Sequence, residues 1–158
     1  METLMDAVML DAILAYLHHL GIGGLIACLA METALVRGPF TPSQYTRLAR
    51  IDAGVGFAAG LILLAGIGRV MYGLKGAEFY TGNHVFWTKM ALFALAAGAS
   101  IPITINFFKW RKTAIADANF QPAPEKLRLV QRHIKIEWAL ILLIPLAAVL
   151  MARGFGMR

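Results

Sequence analysis

A chain of 158 residues, 59% hydrophobic and only 15% charged, with a positive mean hydropathy, is far from the composition of an ordinary soluble domain and reads as an integral membrane protein. Its formal net charge of +6 then becomes a topology signal, which displaces nucleic-acid binding as the explanation of the basic excess. A single cysteine, Cys28, excludes an internal disulfide and reads as a small packing residue in mid-helix.

An α-helix needs about 20 apolar residues to cross the hydrocarbon. Four runs qualify: Ala12–Val36, Ala53–Met71, Val85–Phe108 and Ile134–Ala152. Stretches such as "FAAGLILLAGIG" do not alternate apolar and polar positions, which speaks against a membrane β-barrel. The predicted helices cover 8–36, 48–73, 84–111 and 125–153, and the connections are too short to hold a soluble domain. The whole chain, 1–158, is therefore read as one all-α transmembrane four-helix domain.

The leader of the first helix, "METLMD", is acidic where a cleavable signal is basic, so this segment is expected to remain as a span. Its core, "AYLHHLGIGGLIACLAMETALV", carries His18, His19 and Glu32 among apolar residues. On a seven-residue repeat, His18, Gly21, Leu25, Cys28 and Glu32 share a seam of small and polar residues. The stripe through His19, Gly23, Ile26, Ala30 and Thr33 is more apolar at its centre, so His18 is favoured as the inward residue. The glycines allow close helix approach, and they would equally make room for a flat cofactor.

The second helix brings Arg69 and then Tyr72 near its end. The third opens with His84 and Trp87 and has Lys89 about one turn in. Ten of the fifteen basic residues fall in the first and third connections or at the entry of the fourth helix: Arg37, Arg47, Arg50, Lys109, Arg111, Lys112, Lys126, Arg128, Arg132 and Lys135. Basic loops are retained in the cytoplasm. Both termini are thus expected on the outer, periplasmic side of a multi-pass protein of the bacterial inner membrane.

Depth sorts the intramembrane polar residues into two layers. His18, Arg69 and Lys89 share one, with Tyr72, His84 and Trp87 around it. Glu32 follows His18 by about 21 Å of helical rise and falls in a second layer with Asp52, His133 and Glu137. Interfacial salt bridges with Arg50, Arg132 or Lys135 compete as an explanation of that second layer. No carboxylate is expected at the depth of Arg69 and Lys89, because Glu78 belongs to the outer loop above them.

A charged side chain inside the hydrocarbon is costly and marks a candidate site. An interior histidine with two cations at its depth is what an embedded haem requires: an axial imidazole, and partners for the propionates between apolar walls. A lone intramembrane histidine equally serves as a proton relay or as a hydrogen bond between helices, and spacing does not separate these. A second axial ligand is open among His84, Met71, Met90 and Met151.

The patterns "LHHLGIGGLIACLAMETALVRGPF", "GLILLAGIGRVMYG" and "FWTKMALFAL" resemble an uncharacterised family of bacterial four-helix membrane proteins. More distantly they are similar to the superfamily that contains the copper-resistance protein D membrane domain and the HemJ-type protoporphyrinogen oxidase. The shared features are an early histidine in helix one (His18 or His19), a basic residue late in a glycine-rich helix two (Arg69) and an early lysine in helix three (Lys89). The likeness covers helices one to three. It implies a haem b protein, with His18 on the iron, and oxidoreductase or electron-carrier activity on a membrane-soluble quinone or porphyrin. Arg69, Lys89 and Tyr72 would be its acid–base groups, and His18, His19, Arg69, Lys89 and His84 the residues around the cofactor. Helix one has "METALVR" where the oxidase has a tryptophan and an "LPR" turn.

Two readings of other classes stand beside this one. In a proton- or metal-handling transporter, Glu32, Asp52, His133 and Glu137 would form the inner end of a path and His18 the outer, which in four helices asks for a homodimer. In a structural subunit the polar residues would only join helices. Copper transport is disfavoured, since the eight methionines are scattered.

Overall fold

The computed structural model describes residues 2–38 and 40–156. Its long helices are α1 (Glu2–Leu35), α2 (Pro42–Tyr72), α4 (His84–Ala116) and α5 (Pro124–Ala152), with a single short helix, α3 (Gly76–Thr81), before α4. No strand occurs among the described residues. All four long helices are long and apolar enough to cross a membrane.

The helices run past the predicted limits because apolar content marks only the part inside the hydrocarbon. α2 begins at Pro42, six residues before the expected start, where proline's fixed φ suits the first helical position. Its polar first turns still bury Tyr45, Leu48 and Ala49. The connection after α2 is also more ordered than expected. Gly76 takes φ +74, a conformation that favours glycine, and α3 then buries Tyr80 against Phe86 and Met151.

Around the bundle the order is α1, α2, α4, α5: α1 packs on α2, α4 on α5, and α2 on α4, while α1 and α5 touch sparsely. Small residues set the first of these distances. A Cβ added at Gly21 would lie 2.8 Å from Ile62 Cγ1 and 3.3 Å from the Ala58 carbonyl oxygen, so only glycine lets α1 and α2 approach this closely. Side chains such as Phe57, Leu64, Ile115 and Leu142 point away from the bundle, as a lipid-facing surface requires.

Packing is dense at the two ends. At the end carrying the basic loops, Leu29, Tyr45, Leu48, Ile103, Phe107, Trp110, Val130 and Ile134 form the main core. There the Tyr45 hydroxyl donates to the Phe120 carbonyl at 3.0 Å and its ring stacks on Phe40. At the end carrying both termini, Tyr80, Phe86 and Met151 form a smaller cluster. Beside it Asn83 caps α4 through Val85 N–H at 2.8 Å and donates to the Phe155 carbonyl at 3.1 Å. Between these ends lies a cavity.

Candidate cofactor cavity between the four long helices

The cavity has a volume of about 680 Å³ and is walled mainly by apolar side chains of α1, α2, α4 and α5. That is within the roughly 300–1,000 Å³ usual for small-molecule sites. His18, Arg69 and Lys89 line its part nearest the termini, and Ser100, Thr104 and Glu137 line its other end. The chamber thus reaches from His18, Arg69 and Lys89 of the first polar layer to Glu137 of the second, while Glu32, Asp52 and His133 do not line it.

His18 is half-buried, and its Nδ1 lies 3.0 Å from the carbonyl oxygen of Ile62 on α2. A carbonyl can only accept, so Nδ1 carries a proton, and in the neutral ring Nε2 then keeps its lone pair. The ring packs against Gly66, where an added Cβ would lie in ordinary contact, 3.4 Å from Cε1 and 3.5 Å from Nδ1. His19 is exposed on the other side of α1 and bonds the Ala15 carbonyl of its own helix at 2.6 Å.

One expectation about this layer is overturned. A carboxylate does exist at the depth of Arg69: Asp11, whose Oδ1 lies 3.9 Å from Arg69 Nε. The contact is long, and the buried Nε has no hydrogen-bond partner. Lys89 sits with its ammonium 5.4 Å from the centroid of the Phe86 ring and forms no salt bridge among the described residues. Two cations therefore face an apolar chamber, with one loosely placed carboxylate beside Arg69 alone, a costly arrangement in the hydrocarbon.

Other residues singled out in the sequence lie elsewhere. Tyr72 is exposed and does not line the cavity, and neither does His84, which is exposed at the start of α4. Among the thioether candidates, Met71 and Met90 line the chamber, whereas Met151 belongs to the terminal cluster. Cys28 is free, with its Sγ against Gly54.

The second layer gathers Glu32, Asp52 and Glu137, which are 1%, 4% and 3% exposed and lie within electrostatic reach of one another. Asp52 Oδ1 accepts from the Thr104 hydroxyl at 2.9 Å, and Ser100 lies beside Glu137. Among the described residues, Glu32 Oε1 and Glu137 Oε2 have no hydrogen-bond partner. The interfacial salt bridges weighed for this layer do not form: among the described residues none of the three carboxylates pairs with Arg50, Arg132 or Lys135. His133 does not join the cluster through a hydrogen bond either, since its Nδ1 bonds the Leu129 carbonyl of its own helix at 2.9 Å. No group of three His, Cys, Asp or Glu side chains among the described residues is arranged to hold a metal ion.

Sequence reasoning missed Asp11, Ser100 and Thr104. Asp11 stands one heptad before His18 on the same seam, and extending the repeat by one step would have found it. Thr104 follows Lys89 by fifteen residues, nearly the spacing of His18 and Glu32, so the depth arithmetic already placed it in the acidic layer. A further polar group comes from Pro145, which has no N–H and leaves the Ile141 carbonyl without its helical partner; both residues line the cavity.

No curated protein and no solved structure matches the chain. A family model described as "Predicted membrane protein (DUF2214)" matches residues 10–156, nearly the whole chain. That span takes in all four membrane-crossing helices and both polar layers, and the chain belongs to this family of predicted membrane proteins, DUF2214.

Proposed function

We propose that the chain binds one haem b in the chamber, where His18 would hold its iron, and works in the bacterial inner membrane as an oxidoreductase or electron carrier for a membrane-soluble quinone or porphyrin. The observation that carries this reading is the state of His18. Its Nδ1 is committed to the Ile62 carbonyl, which fixes the ring and the tautomer and leaves Nε2 as a ligand atom on an apolar cavity. Ligating histidines are oriented by this kind of second hydrogen bond. The unpartnered Nε of Arg69 and the unpaired ammonium of Lys89 support it further, since two carboxylates of a bound macrocycle would satisfy both. The distant likeness of helices one to three to haem-binding membrane proteins points the same way.

A bound haem would supply one-electron exchange at its iron. The chain's own residues would do the rest. His18 would hold the ligand in depth and register. Arg69 and Lys89 would orient its anionic edge toward the termini, with Asp11 holding the arginine in place. Met71 and Met90, the thioethers on the chamber wall, would be available to help hold the iron. Ile62, Phe93 and Ile141 would exclude water from the ring. Glu137, on the opposite end, would take up a proton released when a quinol or porphyrinogen is oxidised, or supply one when a quinone or porphyrin is reduced, with Asp52 and Glu32 behind it.

The unpaired acidic layer also favours a second reading, in which Glu32, Asp52 and Glu137 carry protons across the bundle without a cofactor. A visible spectrum of the purified protein, oxidised and dithionite-reduced, separates the two. The haem reading expects a Soret band and reduced α and β bands with near-stoichiometric haem. Protein that purifies folded without absorbance in this region, and does not take up added haemin, would leave the proton-handling reading in its place.

A further inference from the structure

A second cavity, of about 420 Å³, lies at the opposite end of the molecule from His18. It is lined by Thr33, Val36 and Arg37 at the end of α1 and by Gln131, Ile134, Lys135 and Trp138 of α5. Three features of it call for a ligand. Arg37 and Lys135 come from different elements and face one hollow, and neither forms a salt bridge among the described residues. Among the described residues no carboxylate lines the hollow. The surrounding direct links between α1 and α5 are thin: Trp138 Nε1 donates to Thr33 Oγ1 at 2.9 Å, and Gln131 Nε2 donates to the Val36 carbonyl at 3.4 Å.

Its position along the helices decides what kind of anion could reach it. The stretch of α5 before Lys135 is polar and strongly basic, "PEKLRLVQRHIK", and the apolar span begins just after it. α1 ends at Leu35, immediately before Arg37. The hollow is thus level with the boundary between headgroups and hydrocarbon. Trp138, with its indole N–H satisfied and its ring on the apolar side of Lys135, is the aromatic residue typical of that boundary. A lipid phosphate would lie at this depth, beside two cations and above an apolar wall formed by Val36 and Ile134. Basic pockets between transmembrane helices take anionic headgroups for this reason.

We infer that this hollow is a binding site for the headgroup of an anionic glycerophospholipid, held by Arg37 and Lys135, which clips α1 to α5 where their direct contact is sparse. The site is separate from the chamber and does not depend on what the chamber holds. The lipid's acyl chains would lie along the exposed apolar surface beside α1 and α5, and its phosphate would supply the counter-charge that the chain lacks here.

The test compares the full-length protein in nanodiscs of phosphatidylcholine alone with nanodiscs containing a fraction of phosphatidylglycerol, and counts retained lipids by native mass spectrometry. The wild type should retain one phosphatidylglycerol and melt at a higher temperature in its presence. Arg37→Gln and Lys135→Gln should each weaken that retention about fivefold, the effect of removing one basic residue at a membrane surface, and the double variant should lose the stabilisation. Arg47→Gln with Lys112→Gln removes two exposed charges from the same end and outside the hollow, and should leave both readouts unchanged. Equal losses from this control pair would mean that only general surface charge is sensed, and the site would be overturned. It would also be overturned if glycerol phosphate or inorganic phosphate stabilised the detergent-solubilised protein as well as the lipid does, since a soluble anion would then be the ligand. All four positions are exposed or loop residues, so a folded variant is expected in each case.

Discussion

Gly21 and Gly23 are two residues apart on α1, and substituting alanine at each should move stability in opposite directions. At Gly23 an added Cβ meets nothing within 4 Å, so the change acts only through the backbone. Replacing glycine by alanine inside a helix stabilises by about 0.5–1 kcal/mol. At Gly21 the same gain is opposed by contacts of 2.8 Å with Ile62 Cγ1 and 3.3 Å with both the Ala58 oxygen and the Ile62 nitrogen. Two of these three are backbone atoms, which cannot rotate away, so α1 and α2 must separate. Overpacking of this kind costs about 1–3 kcal/mol, which exceeds the helical gain over most of that range and leaves Gly21→Ala destabilised by roughly 0–2.5 kcal/mol. The displacement has a chemical consequence as well, because Ile62 supplies the carbonyl that orients His18. Reversible unfolding in mixed micelles, followed by circular dichroism, measures both changes. Gly21→Ala as stable as Gly23→Ala would refute the argument that a close α1–α2 approach at this glycine positions the histidine.

Three further outcomes follow from the same geometry. Thr104→Val should destabilise by about 1–3 kcal/mol in the same unfolding assay, because it leaves the buried Asp52 without its hydroxyl donor, while Thr104→Ser should retain most of the stability. Asn83→Ala removes both the α4 cap and the bond to Phe155, so it should cost about 0.5–2 kcal/mol and hasten proteolytic clipping after residue 152; unchanged clipping would show that the tail is held by other contacts. Reporter fusions at the C-terminus and near Asp117 should report the periplasm and the cytoplasm, respectively, and the reverse pattern would invert the orientation expected from the basic loops.

The four spans were legible because hydrocarbon imposes a length and a composition that few other pressures produce. The inward seam of α1 was legible because helical packing repeats, and Gly21, Leu25 and Glu32 are indeed buried along it. What apolar runs could not show is the structure outside the bilayer: the early start of α2, and α3 within an apparent loop. Depth reasoning put Glu32, Asp52, Glu137 and His133 in one layer; the three carboxylates lie within electrostatic reach of one another, whereas His133 Nδ1 bonds its own helix, and depth says nothing about which way a side chain points around its helix. Asp11 was passed over for a related reason. It precedes the apolar run that defined the first span, although the helix extends well beyond that run and the seam extends with it.

The proposed haem depends on His18, which is held by the Ile62 carbonyl and lines the chamber. Soret absorbance per folded protein should be measured side by side in His18→Ala and His19→Ala. The band should be lost in His18→Ala and stay near the wild-type level in His19→Ala, whose ring lies on the exposed side of α1. Retention of the band in His18→Ala, or equal loss in both variants, would contradict that dependence.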